Sequence, residues 1–123
     1  MTKNFKLKEF ECKCGCDMPL EVYENIIKLA GQLQFLRDYT GRPITINSAY
    51  RCPEHNAKVG GSKTSQHLLG KAADITIQSL KPAEVYALIE ELIDMGHLLQ
   101  GGLGLYDTFV HYDIRKTKAR WNG

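Results

Sequence analysis

The feature that most constrains the fold is a pair of short segments that together carry two imidazoles and two carboxylates. The first reads SQHLLGKAAD and contains His67 and Asp74, and the second reads FVHYD and contains His111 and Asp113. Three such ligands and one water molecule are what a catalytic zinc site requires, because chemistry takes place at the open fourth position. A fold that brings these segments together predicts a metal-dependent hydrolase rather than a binding module.

The bulk composition is that of an ordinary globular protein. The chain has 123 residues, of which 43% are hydrophobic and 24% are charged, so we expect a single domain over residues 1–123 with its own core. A net charge of +2 is too small to predict a nucleic-acid partner. No apolar run predicts a membrane span and no secretory signal opens the chain, so we expect a monomer that is cytoplasmic as synthesised.

Two segments have the periodicity of amphipathic helices. Apolar residues recur at three- and four-residue steps from Leu20 to Leu36, and Gly41 is well suited to end that helix in the left-handed conformation. A second helix is predicted to begin at Pro82 and to end at Gly96.

The remaining segments predict a small sheet. Residues 43–50 alternate β-branched and polar side chains, 71–77 reads as a second strand, and 101–106 and 109–115 read as two strands joined by a tight turn. Residues 51–64 are predicted to form a loop. Because helices and strands do not alternate as βαβ units, the predicted fold class is α+β, with a small antiparallel sheet and helices packed on one side.

Strand alternation indicates how the site is assembled. His111 and Asp113 share the face of their strand that lies opposite its apolar residues. If the strand that carries Asp74 is a neighbour in the sheet, Asp74 and His111 approach each other on that face. A short helical turn ending at Gly70 allows His67 to fold back above Asp74.

Four cysteines stand at positions 12, 14, 16 and 52. They are interpreted as free thiols, as one or two disulfides, or as a structural metal site with Cys52 as the fourth ligand. A reducing compartment opposes disulfides, and the one-residue spacing is tight for a zinc site. The three interpretations stay open at this point.

The motifs carry a resemblance to a known family. The pattern S-x-H-x-x-G-x-A-x-D, matched at every fixed position by residues 65–74, is similar to the first zinc motif of the M15 metallopeptidases. Residues 48–51 (SAYR) and 109–115 (FVHYDIR) resemble the family's Ser-Gly-Tyr-Arg segment and its closing histidine strand. The family includes D-Ala-D-Ala carboxypeptidases, D-Ala-D-Ala dipeptidases and phage endolysins, and shares its fold with the hedgehog signalling domain.

The resemblance implies a role for individual residues. His67, Asp74 and His111 correspond to the zinc ligands, which makes zinc the expected cofactor. Arg51 corresponds to a residue that binds the substrate carboxylate or the oxyanion that develops on the scissile carbonyl.

The sequence departs from a common family pattern at the general base. Many members place an acid three residues before the last histidine, where this chain has Thr108. Asp113 is the first choice for the base, Asp107 the second and Glu54 the third. The alternative role for Asp113 is to orient the ligand His111.

The resulting prediction is a zinc peptidase that cleaves peptidoglycan stem peptides at a bond flanked by a D-amino acid. A phage or prophage lysis enzyme acting on the cell wall is the expected setting. The alternative is a non-catalytic zinc-binding domain of the same fold, with a structural or virion-associated role.

Overall fold

Ten elements follow one another along residues 1–123, all of which the computed structural model describes. In chain order they are a first 3₁₀ turn (Leu7–Phe10), α1 (Leu20–Thr40), β1 (Ile44–Ser48), α2 (Pro53–Lys58), a second 3₁₀ turn (Gln66–Leu69), β2 (Ala72–Ile77), α3 (Pro82–Asp94), β3 (Gly102–Leu105), β4 (Val110–Asp113) and β5 (Ala119–Asn122).

Both predicted helices are confirmed. Helix α1 ends at Gly41, whose φ of 66° lies in the left-handed region that glycine adopts without steric cost. Helix α3 begins at Pro82, where the missing N–H of proline costs no helical hydrogen bond. No helix of the structure combines the length and the apolar character needed to cross a membrane.

The five strands form one sheet in the order β1-β2-β4-β3-β5. All neighbouring strands are antiparallel except β3 and β5, which run parallel. The predicted α+β class with a mainly antiparallel sheet is therefore confirmed. Strand β5 was not predicted, because its sequence ARWN is only four residues long, and so short an alternation does not stand out from chance.

The prediction of a loop over residues 51–64 is wrong in one part, since α2 lies within it. Pro53 stands in the first turn of this helix, and the backbone N–H of Asn56 donates to the carbonyl of Cys52 at 2.9 Å. A six-residue helix is too short for apolar periodicity to reveal it.

The apolar face of the sheet packs with the helices into one core. The buried cluster joins residues of α1, α3 and the strands, among them Leu29, Leu33, Ile75, Ile89, Leu92, Leu103, Val110 and Tyr112. The Tyr112 hydroxyl, which lies in this core, donates to the carbonyl of Leu99 at 2.8 Å. The polar residues of β2 and β4 are consequently turned to the opposite face.

On that opposite face, one row of residues crosses four strands. Asp74, His111, Gly104 and Trp121 are successive register partners in β2, β4, β3 and β5. A Cβ on Gly104 would lie 2.5 Å from the indole of Trp121. The absence of a side chain at Gly104 therefore allows the indole to lie over β3 beside His111, with a ring separation of 5.0 Å.

We predict that Gly104→Ala displaces Trp121 and lowers stability by about 1–3 kcal/mol, the usual cost of overpacking a filled site. Because the chain has one tryptophan, its fluorescence spectrum and the denaturation midpoint report both effects. Gly31→Ala is the matched control: a Cβ at Gly31 of α1 meets nothing within 4 Å, so alanine there should leave the emission unchanged. Unchanged emission in Gly104→Ala would contradict the packing described.

Candidate metal centre

The pairing of β2 with β4 places Asp74 directly opposite His111. His67 reaches the same place from the second 3₁₀ turn, where its backbone N–H donates to the Ser65 hydroxyl at 3.2 Å. This turn ends at Gly70, whose φ of 73° reverses the chain into β2. The structure thus brings together the three residues that the sequence suggested as metal ligands.

The three side chains meet at one carboxylate oxygen. Asp74 Oδ1 lies 3.2 Å from His67 Nε2 and 3.1 Å from His111 Nδ1. His67 and His111 are buried, with 2% and 7% of their surface exposed, so bulk water does not separate the three groups.

The second nitrogen of His67 determines which of its ring atoms is free to bind a metal. Nδ1 lies 2.6 Å from the carbonyl oxygen of Ala49, which can only accept a hydrogen bond. The proton is therefore assigned to Nδ1, and the lone pair of neutral His67 is on Nε2, directed toward Asp74.

In His111 the roles of the two ring nitrogens are reversed: Nε2 carries the proton and Nδ1 carries the lone pair. Nε2 lies 2.7 Å from Asp113 Oδ2 and donates to it. The lone pair of neutral His111 is consequently on Nδ1, which faces Asp74 Oδ1. Hydrogen bonds from the outer nitrogen of a histidine to a carboxylate or a carbonyl are the usual way in which proteins orient metal-binding imidazoles.

Three electron-pair donors therefore point at one another across the site formed by His67, Asp74 and His111. Such an arrangement is repulsive unless a proton or a metal cation lies between the donors. Zinc held at 2.0–2.1 Å in tetrahedral geometry separates neighbouring ligand atoms by about 3.3 Å, close to the two distances observed. The donor set and its spacing fit a zinc ion with one position left open.

The pKa values of Asp74 and His111 indicate which charges the site favours. Burial alone would raise the pKa of Asp74, but hydrogen bonds from His111 and His67 outweigh it and lower that pKa to about 2. Burial opposes the charge of His111 too, yet Asp113 and Asp74 raise its pKa above the usual value. The site therefore favours a positive charge between an ionised Asp74 and the two imidazoles.

Asp113 lies behind His111 and does not line the cavity. It is fully buried, and its two oxygens accept hydrogen bonds from His111, from the backbone N–H of Gly102, and from the backbone and guanidinium of Arg115. These bonds, with His111 and Arg115 foremost, hold the pKa of Asp113 far below its usual range despite burial. Its carboxylate contacts His111 but not the open side of the site.

The other two residues considered for the general base do not line the cavity. Asp107 is exposed in the turn between β3 and β4, and Glu54 is exposed in α2. Asp74 is the single carboxylate that lines the cavity. The structure therefore brings Asp113, but neither Asp107 nor Glu54, into contact with the ligand set.

The ligands open into a cavity of about 590 Å³ that is rich in polar groups. Its further lining includes the cationic Arg51 and Arg115, the aromatic Tyr106, Phe109 and Trp121, and the polar Ser62, Thr64, Ser65 and Gln66. Sequence reasoning missed Arg115 and Trp121. Arg115 lies in the predicted strand 109–115 on the face of His111, so alternation was a signal that could have found it. For Trp121 there was no such signal, because nothing in the sequence predicts that β5 lies beside β3.

Arg51 lies at the edge of this cavity. Its backbone N–H donates to the carbonyl of His67 at 3.1 Å, which ties it to the ligand-bearing turn. Its side-chain Nε is buried without a hydrogen-bond partner. Because an unsatisfied buried donor is rare in proteins, this nitrogen requires an acceptor that the chain itself does not supply.

A comparison with protein families assigns the chain to a family. The sequence profile of the family described as Peptidase M15 matches residues 2–113. The chain belongs to the M15 peptidase family. Membership confirms the resemblance inferred from the motifs and implies peptidase activity. A search of curated proteins found no significant match.

We predict that Asp113→Asn weakens zinc binding by roughly 10- to 100-fold, because the amide can no longer act as a charged acceptor for His111 Nε2–H. Competition with a chromogenic chelator measures this affinity. The exposed Asp107→Asn is the matched control and should bind zinc like the wild type. Equal affinities in the two variants would argue against the orienting role of Asp113.

Proposed function

We propose that this M15 family member is a zinc peptidase that hydrolyses the stem peptides of peptidoglycan. The observation that carries the proposal is the convergence of the lone pairs of His67, Asp74 and His111 on one point at the base of an open cavity. A structural zinc site would have four protein ligands, whereas three ligands beside a cavity leave a position for water or substrate.

The chemistry divides between the metal and the chain. When bound, zinc supplies a Lewis acid that polarises the scissile carbonyl and lowers the pKa of water. His67, Asp74 and His111 hold the ion, and Arg51 donates to the oxyanion that develops on the carbonyl or to the substrate carboxylate. Asp113 acts as a positioning residue that keeps the proton on Nε2 of His111 and the lone pair on its Nδ1.

The charge of the cavity supports a peptide substrate that carries free carboxylates. Two guanidinium groups, Arg51 and Arg115, line it. Arg115 is already paired with Asp113, so Arg51 is the guanidinium left to meet a substrate carboxylate. Peptidoglycan stem peptides are short and anionic, and a volume of about 590 Å³ suits a few residues. The preference for a bond flanked by a D-amino acid rests on the family resemblance.

One observation favours the second candidate function, a non-catalytic zinc-binding domain with a structural or virion-associated role. Besides Asp74, no carboxylate lines the cavity to carry a proton to the leaving amine. General acid–base catalysis contributes typically 10²–10⁴-fold, so a site without such a group hydrolyses slowly. The two candidates differ in turnover, not in metal binding.

Digestion of purified peptidoglycan, with new amino groups measured together with bound zinc, separates the two functions. We expect the wild type to release amino groups and His111→Ala to lose both release and the zinc of this site. Lys28→Ala, on the exposed side of α1, is the control and should match the wild type. Zinc binding without any release supports the non-catalytic domain, and an active, zinc-loaded His111→Ala would refute the site itself.

We further predict that Arg51→Ala lowers kcat/KM by roughly 10- to 150-fold, which corresponds to losing a charge-assisted hydrogen bond of about 1.5–3 kcal/mol. Zinc content should stay unchanged, since Arg51 contributes no ligand. Steady-state kinetics on a stem-peptide fragment, with metal analysis of the same sample, checks both statements. Unaltered kcat/KM would remove Arg51 from the substrate site.

A further inference from the structure

The four cysteines, which the histidine site does not use, come together at a second location. Cys12, Cys14 and Cys16 belong to the loop after the first 3₁₀ turn, and Cys52 directly precedes α2. Their four Sγ atoms all lie within 4.8 Å of one another, although the two segments are far apart in the chain. Cys12 and Cys52 are buried, and all four thiols are free.

The sulfur separations distinguish among the three interpretations that the sequence left open. The Sγ atom of Cys14 lies 3.3 Å from that of Cys12 and 3.4 Å from that of Cys52, and Cys12 and Cys52 are separated by 3.8 Å. A disulfide requires about 2.05 Å, whereas thiolates around tetrahedral zinc at about 2.3 Å are separated by about 3.8 Å. The observed spacing is close to that of a metal site.

The backbone of the loop is shaped to turn several sulfurs inward. Gly15 adopts a φ of 81°, and its N–H donates to the carbonyl of Cys12 at 3.0 Å, which closes a tight turn around Cys14. The backbone N–H of Cys52 points at Cys12 Sγ at 3.4 Å. An N–H donor directed at sulfur stabilises a thiolate, the form in which cysteine binds metals.

We propose that Cys12, Cys14, Cys16 and Cys52 bind a second zinc ion in a closed, structural site. Four thiolates complete the tetrahedral coordination of zinc and leave no position for water, in contrast to the three-ligand histidine site. The short Cys-x-Cys-x-Cys spacing is accommodated because the left-handed turn at Gly15 redirects the chain between the second and third cysteines.

The location of this site gives it a positioning role. Cys52 is adjacent in sequence to Arg51, and the backbone N–H of Tyr50 donates to the carbonyl of Phe10 at 3.1 Å. The same stretch carries the Ala49 carbonyl that accepts from His67. A metal ion joining the N-terminal loop to Cys52 would therefore hold the segment from Ala49 to Arg51 against the histidine site.

Zinc stoichiometry tests the proposal. We expect two zinc ions per wild-type chain, one in His111→Ala and one in Cys14→Ser. Cys14 is chosen because it is the exposed member of the cluster, which favours folding of the variant. Lys13→Ser, in the same loop and also exposed, is the matched control and should retain both ions. One ion in the wild type that is lost in His111→Ala but kept in Cys14→Ser would overturn the proposal.

A second measurement remains decisive where a cysteine variant fails to fold. Cobalt-loaded wild type and His111→Ala should both show the near-ultraviolet thiolate-to-cobalt charge-transfer band, and a mercurial that titrates the thiols should abolish it. Because His111→Ala keeps the cysteines, this result is independent of whether the histidine site is catalytic. Absence of the band, or a mass for the unreduced protein that shows disulfides, would refute the site.

Discussion

The register between β2 and β4 is the constraint on which the histidine site depends. It places Asp74 opposite His111, and a slip of β2 by one residue would turn Asp74 into the apolar core and away from His111. Ile75 follows Asp74 in the chain and Tyr112 follows His111, and both are buried on the core face of the sheet. A slip would expose one of these hydrophobic side chains, so their burial opposes it. Core packing and ligand geometry are thus set by the same strand pairing.

The two candidate histidine ligands are oriented by groups that lie outside the centre of the site. The carbonyl of Ala49 and the carboxylate of Asp113 each accept from the outer nitrogen of one histidine, so the inner nitrogens present lone pairs to Asp74. The guanidinium of Arg115 donates two hydrogen bonds to Asp113, and Arg115 also lines the cavity. The chemistry of the site therefore depends on a buried polar network as much as on its three ligands.

Local patterns predicted much of the fold and the three side chains that come together at the histidine site. The periodicity of α1 and α3, the glycines that end them, and the alternation in β2 and β4 are short-range features that the chain carries in its residues. Helix α2 and strand β5 escaped prediction because six and four residues are too few for periodicity. Their formation depends on contacts made elsewhere in the fold.

The sequence by itself determined which residues have metal-binding chemistry and on which strand face Asp74, His111 and Asp113 lie. Only the tertiary structure decided that Asp113 faces away from the cavity, that Trp121 and Arg115 border it, and that Cys52 joins the N-terminal cysteines. The physical reason is that side-chain direction along a strand follows from local alternation. Which partner a buried group meets depends instead on how segments far apart in the chain pack together. No local sequence pattern encodes that packing.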